Sequence, residues 1–556
     1  MTIDGFLTFM TLLIGALTFM PSVMRLRLRV AMHLWVIWTL IGAVAVLYFE
    51  FFHVLAQPCP SQIRWLQASC PHLEMVLPGE QTSPTGITPQ QAAFIVVLVW
   101  MGFALAGIMR ARIHVRSMPS LARLIERLAD SRQIPDLLDM LEPNLERIDA
   151  CANRRLWHQR LYDAVSPKQW LMSYEMNAFV AGITGEAMLA KPPLWPRIKV
   201  CGRHCIKLLL PTGARMQGSA EDILRILLCR RDVLDHVVAY RPQFGAKLLR
   251  LRHHRVGDFV DRFLEALIAK PDSALYDEVE ASQNLIHCGY LLAPDAAVLH
   301  AMLDDAEIAS RLSVYRPILE TVISSLNPVN GSAYGDSLNV PWEAAFAEHG
   351  RWRDPVYVTI RFYDIMVHAA ACQGITSHMW VYYMHHLSRA LVMQYDDTGP
   401  DVDRNAEWPI RSSHMLYSIV DALKEWIKLA AKLPSDSPHR AIDDLSIDRG
   451  TTNIPKASAV TLGDVMKAVI MSDKIDYRFQ SYLFEVAIRW IGEWSATGDL
   501  GWVRAVTIAA IAKGGTVDGG NAYREALCEL YRGMDRPWLN DFTDFETAIG
   551  YRGAAT

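Results

Sequence analysis

Three stretches of this 556-residue chain carry no charged side chain over the length of a membrane-crossing helix. They are residues 6–24, 30–49 (VAMHLWVIWTLIGAVAVLYF) and 92–109 (AAFIVVLVWMGFALAGIM). At the α-helical rise, each gives about 27–30 Å of helix, roughly one hydrocarbon thickness. A helix satisfies its own backbone donors and acceptors, so it is the structure to expect in lipid. The first stretch also invites reading as a cleaved signal. Its leader, however, contains Asp4 and no Lys or Arg, and no small-residue cleavage motif follows, so a retained span is expected.

Orientation follows from where the basic residues sit. Arg25, Arg27 and Arg29 separate the first two stretches, and Arg110, Arg112 and Arg116 follow the third. The connection 50–91 holds only Arg64. The pattern predicts a multi-pass inner-membrane protein with its N-terminus outside and residues 110–556 cytoplasmic. Cys59 and Cys70 both lie in the outside connection among Pro58, Pro60 and Pro71. An oxidising exterior lets them pair, the alternative being two free thiols. The other seven cysteines are expected to be reduced, and none forms a CxxC. Gly102 and Ala106 are four apart, a small-residue spacing that lets helices approach and favours a homo-oligomer.

Residues 117–556 read as mainly α. Leu121, Leu124, Ile125 and Leu128 form one apolar stripe at helical spacing. Trp380, Tyr383, Met384, Leu387 and Leu391 form another, and Ile419, Ala422, Leu423, Trp426, Ile427 and Ala430 a third. Leu483, Ala487, Trp490, Ile491 and Trp494 form a fourth. Such aromatic stripes are more often core than cofactor boxes. Residues 198–210 (IKVCGRHCIKLLL) suggest at most one small β-hairpin around Gly202. Thr461 and Asp464 suggest a helix start before Val465. Turn-rich segments at 327–337, 396–409, 434–458 and 513–520 punctuate the helices. The expected division is a membrane domain 1–116, a helical domain 117–330 and a second helical domain 331–556.

No GxxxxGK[ST], GxGxxG after a strand, HExxH or GxSxG occurs, which removes the common nucleotide-hydrolysing and serine-hydrolase readings as first choices. Gly331–Gly335 (GSAYG) misplaces its serine for a nucleophile elbow. Asp364 and His368 share a helix face, and His378, His385, His386 and His414 follow. That constellation reads either as a metal-assisted enzyme site or, more commonly, as core and boundary histidines. Cys201, His204 and Cys205 supply three ligand types, one short of a closed zinc site. No catalytic residue, metal or cofactor is therefore assigned.

The segment 225–255 has eight Lys or Arg against Asp232 and Asp235, in a chain of net charge −4. Tyr240 and Phe244 interleave with the basic residues. A local positive field of this kind suits nucleic acid, a nucleotide or anionic lipid, with Arg241, Arg250, Arg252 and Arg255 as the candidate phosphate-holding residues. The opposing reading is an ion-paired, solvated helical face.

Three apolar spans at 6–24, 30–49 and 92–109 ahead of a large helical region resemble, in architecture, the membrane-anchored effectors of bacterial anti-phage defence, the retron-associated type in particular. The resemblance implies a toxin held dormant in complex with a reverse transcriptase and its nucleic-acid product. Release would damage the inner membrane and abort infection. A membrane-tethered enzyme using the His/Asp region and a membrane-anchored scaffold are the alternatives.

Overall fold

The computed structural model describes residues 118–153, 213–327, 334–376, 380–442, 444–448, 451–534 and 542–551, with Val99. Apart from Val99, the three apolar stretches lie outside the described residues. So do Cys59, Cys70, Gly102, Ala106, His378 and the segment 198–210 with Cys201, His204 and Cys205. Among the described residues, no helix is long and apolar enough to cross a membrane.

The chain divides into two compact units, Met1–Leu227 and Leu228–Thr556. In the first, α1 (Met118–Asp130), α2 (Ile134–Leu141) and α3 (Leu145–Ala152) follow one another, and α4 (Gly213–Cys229) runs to the boundary. The stripe Leu121, Leu124, Ile125 and Leu128 is buried, as its spacing predicts. Pro135 stands in the first turn of α2, where a missing N–H costs nothing.

The second unit opens with α5 (Arg231–Tyr240), α6 (Pro242–Leu249), α7 (Val256–Ile268) and α8 (Ala274–Ala281). A two-stranded antiparallel sheet follows, β1 (Asn284–Ile286) and β2 (Gly289–Leu291). Then come α9 (Ala297–Leu303), α10 (Ala306–Leu312), α11 (Tyr315–Leu326), α12 (Tyr334–Ser337) and α13 (Ala344–Glu348). The C-terminal part holds the long helices α14 (Pro355–Cys372), α15 (Trp380–Gln394), α16 (Arg411–Lys432) and α17 (Ile454–Ile470). It closes with α18 (Tyr477–Ile488), α19 (Gly501–Lys513), α20 (Gly520–Gly533) and α21 (Thr543–Ile549). The protein is thus mainly helical with one small sheet.

The loop near 330 falls inside this unit rather than between two domains. Tyr315 of α11 meets Trp380 and Tyr383 of α15 edge-on, and the Tyr363 hydroxyl of α14 donates to the Tyr315 carbonyl. Packing joins residues before and after 330, so the turn-rich composition there does not separate two domains.

Helix α17 is the core of the second unit. It packs on α15, α16 and α19 and is buried almost all round. Most of its residues are small or β-branched, so neighbouring helices come close. The hydroxyls of Ser458 and Thr461 return to the carbonyls of Ile454 and Ala457, which satisfies them without outside partners. The helix begins seven residues before Thr461. Asn453 caps it by accepting from the Lys456 N–H, and Pro455 occupies the first turn. Thr461 and Asp464 are therefore not cap residues. The polar run at 434–458 misled the expectation, because its last residues are already helical.

A hairpin lies at 284–291, a stretch without strong alternation. Its two-residue turn requires His287 at φ 56°, a left-handed conformation in which a histidine is less comfortable than glycine.

Candidate functional site

Asp364 is the most heavily engaged buried polar group of the second unit. It projects from α14 and is 3% exposed. One carboxylate oxygen accepts from the Tyr290 hydroxyl of β2 at 2.7 Å and pairs with Arg361, one turn earlier on α14, at 2.9 Å. The other accepts from the Trp426 indole of α16 at 2.8 Å and stands 3.4 Å from His368 Nδ1. Arg361 also donates to Tyr290 at 3.0 Å and to Gln283 at 2.8 Å. A carboxylate with its lone pairs filled in this way is tied to three elements at once. Burial pushes the Tyr290 hydroxyl up and the His368 imidazole down, so both stay neutral near pH 7.

The hairpin carrying Tyr290 is fixed by a second device. Cys288 in its turn is bonded to Cys372 at the end of α14, with Cα atoms 5.9 Å apart. Both cysteines were expected as free thiols. Nothing in a spacing of 84 residues announces the pairing; only the docking of the hairpin on α14 brings the sulfurs together. A cross-link closing a loop of that length is worth about 4 kcal/mol in the chain-entropy account.

The described members of the histidine constellation do not converge. Asp364 and His368 meet, His385 and His386 lie side by side on α15 with tilted rings, and His414 lies in an aromatic cluster at the start of α16. Among the described residues, no group of three or more His, Cys, Asp or Glu is placed to hold a metal ion.

Burial holds the His414 ring down at about 3, with the Arg351 charge acting the same way. The folded value lies below the unfolded one of 6.5. The neutral ring therefore contributes stability that is present above pH 6.5 and is lost as pH falls through 3. We predict that the unfolding midpoint drops across this window and that His414→Phe flattens the drop. Equal slopes in the two proteins, read by urea unfolding at several pH values, would remove the assignment.

The basic segment is largely spoken for. Arg225 pairs with Asp222 at 3.1 Å, Arg230 with Asp232 at 2.9 Å, and Arg231 stands 3.9 Å from Asp235. Arg250 reaches Asp304 at 3.2 Å and the His300 carbonyl at 3.1 Å. Arg255 turns toward the Cys229 sulfur at 3.6 Å. Arg241 forms the junction between α5 and α6, and Arg252 is exposed. Asp222 and Asp304, outside the counted window, lower the positive excess of the segment. Arg231, Arg252 and Tyr240 are exposed.

A cavity of about 600 Å³ lies near the C-terminus, lined by Glu493, Ser495, Thr497, Thr543 and Asp544 among others. Its buried Arg504 grips both Asp544 oxygens, at 2.6 and 2.7 Å, and reaches the Trp494 carbonyl. That pairing holds the Asp544 carboxyl below its ordinary value. The arginine is neutralised in place, so the cavity offers hydroxyls and the Glu493 charge rather than an open cation.

No protein-family model matches this chain, and neither a curated protein nor a solved structure matches it.

Proposed function

We propose that the chain is a membrane-anchored effector of bacterial antiviral defence. In this reading its helical region responds to a trigger and alters the integrity of the inner membrane. The observation that carries the reading is the sequence asymmetry around the uncharged stretches, six arginines on two flanks against one in the connection 50–91. The short basic segment Arg110–Arg116 joins the third stretch to the helical region, so a change in that region reaches the spans directly. Switching requires the trigger to bind one state better than the other. A reverse transcriptase–nucleic-acid complex meeting the segment 225–255 is the partner this reading favours.

Reporter fusions after residues 60 and 130 test the arrangement. The first is expected to read outside and the second cytoplasmic. In that orientation the cytoplasmic thiol pool keeps Cys288 and Cys372 reduced at rest, and their bond marks an oxidised form. A fusion at 130 that reads outside, with the bond intact in chain isolated under alkylation, would reverse the orientation.

A further inference from the structure

Two arginines of the second unit lack what buried arginines normally have. Arg351, in the turn before α14, and Arg411, the first residue of α16, are each half-buried. The Nε of each is sealed from solvent and has no hydrogen-bond partner. Among the described residues, neither guanidinium makes an ion pair. What they touch is aromatic. Arg351 lies over Trp352 and Tyr357, 5.4 and 5.3 Å from the ring centres. Arg411 lies 4.0 Å over Phe346.

One histidine neighbours both. His414 is one turn along α16 from Arg411, 5.9 Å from the Tyr357 ring, and within the field of Arg351. It stacks on Trp342 at 3.9 Å and meets Trp408 edge-on at 4.8 Å. It is 6% exposed, yet its Nδ1 has no partner. With the Trp408 indole nitrogen, four orphaned buried polar atoms lie in one cluster, and they are costly, since each forfeits its hydration without replacement. Asp354 feels the Arg411 charge, but it is already committed. It caps α14 through the N–H groups of Val356 and Tyr357 at 2.9 and 3.0 Å and holds the Tyr334 hydroxyl. The fold thus gathers positive charge, flat rings and an unpaired imidazole nitrogen, and among the described residues it brings no carboxylate into ion-pair contact with either guanidinium.

We propose that Arg351, Arg411 and His414, with the rings of Trp342 and Trp408, form a binding site for a nucleotide. The guanidinium groups take the phosphate, because their planar forks match its oxygens. The indole rings take the base by stacking, which every base offers. His414 Nδ1 supplies one directional hydrogen bond to the ligand. The site does not depend on the membrane reading, and reversed topology fusions leave this inference standing.

The test is quenching of tryptophan fluorescence in the purified full-length chain, titrated separately with ATP, ribose 5-phosphate and inorganic phosphate. ATP is expected to quench saturably, and at least tenfold more tightly than either ring-free probe. Arg351→Gln and Arg411→Gln should each weaken ATP binding tenfold or more. Trp342→Leu should narrow the gap between ATP and ribose 5-phosphate. Thermal melting followed by circular dichroism shows whether each variant is folded. Should a Gln variant fail to fold, Arg351→Lys and Arg411→Lys keep the charge but lose the fork, and the same weakening is expected. No saturable binding of ATP overturns the proposal. So does ATP affinity unchanged in folded arginine variants, or inorganic phosphate binding as tightly as ATP.

Discussion

Asp364→Ala is expected to cost the second unit about 3–5 kcal/mol of stability. The substitution leaves the Trp426 N–H without its acceptor, and Arg361 and Tyr290 without the charge that holds them. Each loss is a desolvation penalty with no compensating bond. Asp364→Asn keeps one acceptor oxygen and should cost less. Urea unfolding followed by tryptophan fluorescence reads the difference. A loss below about 1 kcal/mol for the alanine variant would mean that the three partners find other acceptors at little cost.

Gly463→Ala tests the core at its tightest point. A Cβ at 463 would stand 2.3 Å from the Ala510 carbonyl oxygen and 2.7 Å from the Gly515 nitrogen. Both are backbone atoms, so no side-chain rotation relieves the clash, and α17 and α19 must separate. The expected loss is about 3 kcal/mol, the upper part of the range for overpacked cores. For a unit of this size it appears as a fall of roughly 5–10 °C in melting temperature. A melting temperature within a degree or so of the parent would show that the two helices slide apart freely.

The helical stripes were legible because helix periodicity is local. Ile419, Ala422, Leu423, Trp426, Ile427 and Ala430 fall on one face in sequence and are buried together in α16. Helix α17 was half-legible. Its Thr461 and Asp464 looked like a cap because a helix buried all round has no polar face to contrast with. The site residues were harder still. Asp364 and His368 could be paired from their spacing. Tyr290 and Trp426, which complete the network, are 74 and 62 residues from Asp364 and meet it only through tertiary packing. The ion pairs of the basic segment were hidden for the same reason. The acid that answers Arg250 is Asp304, 54 residues away. Arg351 and Arg411 attracted no notice because a lone arginine in sequence does not reveal whether a carboxylate will reach it.

The placement of α17 also sets an order in time. Its partners α15 and α16 precede it, but α19 ends at Lys513 and follows it. During synthesis α17 leaves the ribosome with one side of its surface still uncovered. At about 5–20 residues per second, the wait for α19 lasts on the order of several seconds. An apolar helix open on one flank for that long is a natural client for a chaperone. Slowing translation after α17 has emerged from the ribosome but before α19 has should therefore raise aggregation of the nascent chain more than the same delay once α19 has emerged.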